Sequence, residues 1–292
     1  AGELATSGWK HFEAGELDQA ERDLAEAAKL APANAPIALA LGQTYLSAGK
    51  PKLAIPQLEK AARGMGNPTD VRFTLAQAYQ AVNDDTRALA ILSADPPQGE
   101  LGGAWLFSRG FSLFRAGRFD AAESVFRPLA ARPGMEAPAQ FFLGNCAYAR
   151  GKYEAALGYF EKAIAAGDAP GNRAINAYYY NQGLALYELR RFEQAAQSFR
   201  QSIDRFPRDA MPYLLLGRCQ GELGDYQAAM ASYEKAIELA PTFRLAYYQL
   251  ARLHLAHGDK QRGAELSQKV AELRGAELEK EEKMARSLKV GH

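Results

Sequence analysis

Two glycine–lysine pairs in the chain resemble the end of a phosphate-binding loop. Gly42 precedes Gly49–Lys50, and Gly144 precedes Gly151–Lys152. The loop that cradles phosphates needs a shorter spacing between its glycines, and a Ser or Thr after its lysine to reach Mg²⁺. Neither pair meets these conditions, and helix-ending turns explain the glycines better. The pairs therefore predict no nucleotide site.

Histidine, cysteine and acidic residues offer little material for metal binding or catalysis. His254 and His257 lie three residues apart on one predicted helix, but two ligands are too few for a zinc site. Cys146 and Cys219 are expected to be small buried residues. The carboxylates follow the spacing of helix surfaces and do not cluster as an acid–base pair would. The sequence thus predicts a non-catalytic protein with no metal and no cofactor.

Composition excludes several broad classes of protein. The net charge is only +1 over 292 residues, whereas a protein that coats nucleic acid carries a basic excess. No apolar stretch approaches the roughly 18 residues of a membrane span. We expect a soluble chain with no nucleic-acid partner and no direct membrane insertion, and its compartment, cytoplasmic or exported, stays open.

Small residues recur at intervals of 34 residues, with one interval of 39. They are Gly8, Gly42, Ala76, Gly110, Gly144, Gly183, Gly217 and Ala251. Seven residues after each comes a second column: Gly15, Gly49, Asn83, Gly117, Gly151, Arg190, Gly224 and Gly258. Sixteen residues after each comes a third: Leu24, Leu58, Leu92, Phe126, Phe160, Phe199, Tyr233 and Ser267. The small residues are expected to let the two helices of a repeat approach closely, and the third column to fill the space beside them. Since Gly and Asn accept the left-handed conformation that ends helices, each repeat predicts a helix, a tight turn and a second helix.

These columns resemble the tetratricopeptide repeat family, whose helix–turn–helix unit has 34 residues. The best match is the seventh repeat, with Leu216–Gly217, Gly224, Tyr226, Ala229, Tyr233, Ala236 and Pro241. The resemblance covers residues 1–272. It implies an all-α, right-handed superhelical solenoid of about eight repeats with a C-terminal capping helix, and a concave groove lined by the first helices.

Departures from the repeat pattern divide the chain. Residues 1–92 hold repeats one to three, and 93–100, with Pro96 and Pro97, predict a loop and a candidate hinge. Residues 101–272 hold repeats four to eight, with an insertion near 167–176. Residues 273–292 become polar and predict the capping helix and tail.

The resemblance places an aromatic strip on the concave side of the middle repeats. Its members are Phe107, Phe111, Phe114, Phe141, Tyr148, Tyr180, Tyr187 and Tyr248. Such rings give a large contact area at low entropic cost and are common binding anchors. An alternative stays open, because rings at these positions can also pack between neighbouring helices, and Phe73, Phe107 and Phe141 fit that reading equally well.

Polar residues of the same stripe refine the hypothesis. Asn145 and Asn181 match two asparagines of the carboxylate-clamp members of the family, which grip chaperone C-termini, and would bind peptide backbone. The clamp's basic residues are missing, because Phe141, Met211 and Leu215 replace them. We therefore expect no tight binding of a chaperone tail. Arg218 and Arg252 could meet an acidic group instead, or be solvated or ion-paired arginines.

The function favoured by the sequence is a scaffold or adaptor that holds a peptide or helix of a partner protein in the groove. One alternative is the interaction arm of a larger enzyme or regulator, and another is an exported factor for envelope or pilus assembly. RNA binding is disfavoured, because the inner stripe lacks the basic residues that phosphates require. Self-association through the N-terminal edge, at Trp9 and Phe12, also stays open.

Overall fold

The chain folds into consecutive pairs of helices. A computed structural model describes residues 1–168 and 172–290, with side chains for all of these except Glu100 and 287–290. The first helices of the pairs are α1 (Gly2–Glu13), α3 (Ala35–Ser47), α5 (Thr69–Ala81), α7 (Glu100–Arg115), α9 (Glu136–Ala149), α11 (Ile175–Glu188), α13 (Ala210–Glu222) and α15 (Arg244–Ala256). The second helices are α2 (Leu17–Leu30), α4 (Pro51–Gly64), α6 (Asp85–Leu92), α8 (Phe119–Leu129), α10 (Tyr153–Gly167), α12 (Phe192–Arg205), α14 (Tyr226–Leu239) and α16 (Lys260–Val290).

The helices form two compact units, residues Ala1–Cys146 and Ala147–His292. Within the N-terminal unit, α1 packs on α2, α2 on α3 and α3 on α4. Within the C-terminal unit, α11 packs on α12, α12 on α13 and α13 on α14. Helices that are neighbours in sequence are therefore neighbours in space, which confirms the all-α repeat architecture predicted from the sequence.

Every turn position predicted from the second column is left-handed. Asn83 has φ 61°, Arg190 has φ 58°, and the six glycines of the column have φ between 69° and 88°. At each of these turns the chain reverses between the first and second helix of a pair. Arg190 is the one residue of the column whose side chain makes this conformation costly.

The small residues of the first column allow the two helices of a pair to approach closely. A Cβ atom built on Gly110 would lie 2.7 Å from Cζ of Phe126, and one on Gly183 would lie 2.7 Å from Cε1 of Phe199. Phe126 and Phe199 are both fully buried. A ring sixteen residues away therefore occupies the space that the missing side chain leaves, as the spacing predicted.

The eighth pair departs from this pattern. Ser267, which the third column places in the core, is exposed, and Leu266 is buried instead. A Cβ atom on Gly263 would lie 2.5 Å from Cγ of Leu255. In this pair the glycine that allows the close contact therefore stands in the second helix, and the large side chain stands in the first. The second helix of this pair continues through the segment predicted as a capping helix, so that both form the single helix α16.

The segment between α6 and α7 has no helix at residues 93–99. Trp105 of α7 is fully buried, and its indole N–H donates to the carbonyl of Leu92, the last residue of α6, at 3.2 Å. Arg115 pairs with Asp85 at 2.8 Å and donates to the carbonyl of Gln80 at 2.9 Å. Side chains of α7 thus tie it to the two preceding helices. Whether residues 93–100 act as a hinge stays a prediction.

Two further features concern proline and the insertion. Pro56 lies inside α4 and Pro128 lies inside α8. The insertion falls between Gly167, where α10 ends, and Ile175, where α11 begins. Its residues 169–171 lie outside the described part of the chain.

Candidate partner-binding surfaces

The aromatic residues predicted on the first helices of the N-terminal unit pack around Phe142. This ring makes edge contacts with four of them, at centroid distances of 5.4–5.7 Å. The four rings are Phe107, Phe111, Phe114 and Phe141, and each is half-buried. They form a packed apolar cluster that keeps part of each ring in contact with solvent. Sequence analysis missed Phe142 because it stands beside the predicted stripe, two residues before Gly144.

Phe73 belongs to the core of the N-terminal unit. It is buried and stacks on the indole of Trp105, with ring centroids 5.9 Å apart. The packing alternative therefore describes this residue. Its first helix, α5, presents polar Gln77 and Gln80 at the next two stripe positions.

The two clamp-like asparagines have different surroundings. Asn145 is half-buried near the end of the N-terminal unit. Asn181, in the C-terminal unit, donates from its side-chain amide to the carbonyl of Ala177 in its own helix at 2.8 Å. One N–H of this amide is already bound to a carbonyl of its own helix, so Asn181 has one fewer donor to offer a peptide backbone.

Tyr148 and Tyr180 are half-buried tyrosines of the C-terminal unit. Tyr148 packs on Tyr153 at 5.3 Å between centroids, and burial, with a smaller contribution from the Glu188 carboxylate, raises its pKa to about 12. Tyr180 lies edge-on to Phe199 at 6.1 Å, and burial also raises its pKa. Both rings are partly held by packing within the unit.

A cavity of about 420 Å³ opens on the first helices α11, α13 and α15 of the C-terminal unit. Tyr187, Arg218 and Arg252, all predicted from the sequence, line it. Tyr226 and Tyr233, which belong to the second helix α14, also line it and were not predicted as site residues. Their signal was present in the sequence, because both stand at marked positions of the seventh repeat.

Arg218 is held against the aromatic wall of this cavity. Its guanidinium lies 4.6 Å from the centroid of Tyr187 and donates to the Tyr187 hydroxyl at 3.1 Å. The side chain is half-buried. Within the described residues, no carboxylate oxygen lies within 4.0 Å of its nitrogens. A guanidinium has five N–H donors, so most of its hydrogen-bonding capacity remains available.

Arg252 is the exposed counterpart of Arg218, one repeat further along. It lies over the ring of Tyr248, 5.8 Å from its centroid, and donates a long hydrogen bond of 3.4 Å to the side-chain oxygen of Gln249. The salt bridges of the described chain do not include it. Glu222, the acidic residue of the cavity lining, pairs with Arg190 at 3.6 Å. The cavity therefore has two arginines without a carboxylate partner on the described chain.

Exposed apolar residues extend this surface along α15. Tyr248 is 45% exposed and Leu255 is 46% exposed. They are seven residues apart, so both lie on one face of the helix. Tyr226 is also exposed and packs on the imidazole of His257, with ring centroids 4.1 Å apart.

A second cavity, of about 540 Å³, lies near the N-terminus on α1 and α3. Trp9 lines it, stacks on Phe12 at 5.2 Å and donates its indole N–H to Glu13 at 2.9 Å. The self-association predicted through this edge stays a prediction.

Three further features of the described residues concern metal binding, membrane crossing and the two cysteines. These residues contain no group of three or more His, Cys, Asp or Glu side chains arranged to hold a metal ion. Over the same residues, no helix is both long enough and apolar enough to cross a bilayer. Cys146 and Cys219 are fully buried, as predicted, and burial raises the pKa of Cys219 to about 12.

Sequence comparison decides the family. The tetratricopeptide repeat profile matches residues 6–68, 107–172, 180–243 and 221–277, well over half of the chain. The chain belongs to the tetratricopeptide repeat family. Members of this family generally mediate protein–protein interactions, and the matched segments all belong to this one family. A comparison with curated proteins gave no significant match.

Solved structures share the tetratricopeptide fold with this chain at low sequence identity. A chain of the APC/C hetero-tetramer Cut9–Hcn1 has a TM-score of 0.64 and 16% identity, over 86% of this chain. The chain spans only 48% of that protein. A tetratricopeptide repeat protein from Parabacteroides merdae has a TM-score of 0.64 and 17% identity, over 87% of this chain and 98% of that one. MamA from Desulfovibrio magneticus has a TM-score of 0.54 and 20% identity, over 60% of this chain and 96% of that one.

Proposed function

We propose that the chain is a non-catalytic adaptor that holds a peptide segment of a partner protein on its first helices. The observation that carries this proposal is the cavity of about 420 Å³ on α11, α13 and α15, together with the exposed apolar face of α15. Concave sites with aromatic walls and a few polar groups are where proteins hold ligands. Exposed large side chains on a repeat scaffold supply binding area without any change of fold.

The two units contribute differently to this proposal. In the N-terminal unit, the half-buried rings around Phe142 and the amide of Asn145 offer an apolar surface with a hydrogen-bonding group. In the C-terminal unit, Tyr187, Arg218 and Arg252 offer a cavity with aromatic and cationic walls. On either unit, a partner segment would gain its apolar contact area from the rings of that unit and its orientation from the polar groups of the same unit.

The test uses variants of exposed residues, because replacing packed rings would also disturb the fold. Tyr248→Ala/Leu255→Ala removes two side chains of α15 that are 45% and 46% exposed. Because Leu255 also packs against Gly263 of α16, the thermal stability of the variant is measured before binding is compared. The matched control is Phe206→Ala/Leu223→Ala, because these residues are 52% and 41% exposed but lie after the ends of α12 and α13. Proteins captured from lysate of the source organism by the wild type and both variants are quantified by mass spectrometry.

We expect the α15 variant to recover about tenfold less of a partner protein than the wild type does, equivalent to about 1.4 kcal/mol of binding free energy. The control should recover as much as the wild type. Circular dichroism should show the same helicity for all three proteins. If the two variants recovered every captured protein equally, α15 would not be part of the binding surface, and the proposal would be contradicted.

A further inference from the structure

The two arginines of the C-terminal cavity, Arg218 and Arg252, have no carboxylate partner among the described residues. Arg218 is half-buried, and its contacts are the ring and hydroxyl of one tyrosine, neither of which carries a negative charge. Burying cationic groups without a counter-charge costs free energy. An anionic ligand that enters the cavity would recover this cost and use the free N–H donors.

The one carboxylate of the cavity lining does not supply the missing charge. Glu222 faces Arg190, 3.6 Å away, and the two side chains are 43% and 76% exposed. Arg252 lies over Tyr248 and has only a long hydrogen bond to the neutral amide of Gln249. The lining therefore keeps an excess of positive charge, and its neutral members are mostly tyrosine, leucine and alanine.

The position of the arginines in the repeats determines the ligand geometry. Arg218 and Arg252 are 34 residues apart and hold equivalent places on the first helices α13 and α15. Both side chains line the same cavity, and an extended peptide advances about 3.3 Å per residue. Side chains that are two residues apart in an extended peptide project from the same face, about 6.6 Å apart, so two such acidic side chains could reach two guanidinium groups of one cavity.

We propose that this cavity recognises an acidic peptide segment, with one Asp or Glu carboxylate on Arg218 and a second on Arg252. A guanidinium binds a carboxylate through two parallel N–H···O bonds, which the free edges of both side chains allow. A single C-terminal carboxylate would satisfy only one arginine. The inference rests on the proposed function, because it specifies the segment that the adaptor would hold.

The test is selection from a random dodecapeptide library displayed with its C-terminus joined to a carrier, so that acidic side chains supply the carboxylates. Three purified proteins are compared by deep sequencing of the bound peptides: the wild type, Arg218→Gln/Arg252→Gln and Arg200→Gln/Arg208→Gln. The third is the matched control, because it removes the same charge from two exposed arginines outside the cavity lining.

We expect the wild type and the control to enrich peptides with paired Asp or Glu residues two positions apart. The cavity variant should lose this enrichment. A synthetic peptide from the enriched set should bind the cavity variant at least about tenfold more weakly, and its affinity for the wild type should fall as NaCl is raised from about 0.05 M to about 0.5 M. Arg252→Gln alone, at an exposed position, should weaken binding in a protein with unchanged helicity.

The outcomes separate this inference from the proposed function. Enriched peptides without acidic residues, lost in Tyr248→Ala/Leu255→Ala, would overturn the acidic ligand and leave the adaptor in place. Acidic enrichment that persists in Arg218→Gln/Arg252→Gln would overturn the assignment to these arginines. Enrichment that appears only in a library with free C-termini would assign the site to a terminal carboxylate and overturn the paired side chains. Selection of no peptide by the wild type would contradict both proposals.

Discussion

Arg190 occupies a turn whose equivalents in the other repeats are glycine or asparagine. Its φ of 58° lies in the left-handed region, where an L side chain crowds its own backbone. The compensating contacts are exposed: a 3.6 Å ion pair with Glu222 and a guanidinium 5.1 Å from the ring of Phe192. Pairs of this kind contribute little to stability.

We expect Arg190→Gly to leave the free energy of unfolding unchanged or to raise it by up to about 1 kcal/mol, because relief of strain outweighs the flexibility that glycine adds to the unfolded chain. Urea denaturation followed by circular dichroism measures this. Gly224→Ala, at the same turn of the next repeat with φ 82°, is the converse control and should be destabilising. A clear loss of stability in Arg190→Gly would show that its side-chain contacts outweigh the strain.

Tyr233 makes the stability of the C-terminal unit sensitive to alkaline pH. Burial raises the pKa of its hydroxyl to about 12, against an ordinary value near 10. Between these values the folded protein keeps a proton that the unfolded chain has released, so rising pH favours unfolding. The stabilising effect is therefore complete below about pH 10 and is lost as the pH rises towards 12.

We expect the free energy of unfolding of the wild type to fall between about pH 10 and 12, and that of Tyr233→Phe to fall less, since phenylalanine has no proton to lose. Urea titrations at several alkaline pH values compare the two proteins. The variant should still lose some stability over this range, because burial also raises the pKa values of Tyr148 and Cys219 to about 12. Equal declines in both proteins would contradict the role of Tyr233.

The contact between α6 and α7 includes an ion pair between Asp85 and Arg115. The two groups are 2.8 Å apart and largely buried, and Arg115 also donates to the carbonyl of Gln80 in α5. The pair joins helices on either side of the helix-free residues 93–99. It therefore holds α7 against α5 and α6 through side chains. Removing one member of a buried pair leaves the other charge without a partner.

Asp85→Asn should therefore lower the free energy of unfolding by up to about 3 kcal/mol, measured by urea denaturation followed by tryptophan fluorescence. The matched control is Glu26→Gln, which breaks an exposed pair with Lys29 at 2.9 Å in the same unit and should change stability by less than about 0.5 kcal/mol. Similar small effects of both substitutions would show that solvent screens the Asp85–Arg115 pair.

The whole molecule consists of two compact units, and the chain contains a natural probe that distinguishes them. Both tryptophans, Trp9 and Trp105, lie within residues 1–146. Tryptophan fluorescence therefore reports on the N-terminal unit, whereas circular dichroism reports on all helices. In repeat proteins the stabilising contacts are made between neighbours, so distant repeats can unfold separately.

We expect Gly183→Ala to lower the circular-dichroism transition while leaving the tryptophan transition in place, because its Cβ would lie 2.7 Å from the Phe199 ring within the C-terminal unit. Overpacking of this kind costs about 1–3 kcal/mol. Gly158→Ala is the control, since its Cβ would meet nothing within 4 Å and alanine favours the helix. Equal shifts of both transitions in Gly183→Ala would mean that the two units unfold together.

The repeat, its turns and its close helix contacts were determined by the sequence alone. Gly110 with Phe126, and Gly183 with Phe199, follow from spacing because each contact joins two helices that a short turn connects. Such local geometry repeats whenever the same residue types recur at the same spacing. The turn column is predictable for the same reason, including Arg190, whose left-handed φ is imposed by its neighbours.

Only the tertiary structure decided which stripe residues are available to a partner. The spacing is the same for Phe73, which is buried against Trp105, and for Tyr248, which is 45% exposed. Asn181 turns its amide to its own helix, and Phe142 draws four predicted groove rings together. The Arg218 cavity likewise needs residues of four helices. Exposure depends on the volumes of side chains from other helices, and a periodic pattern in one helix carries no information about them.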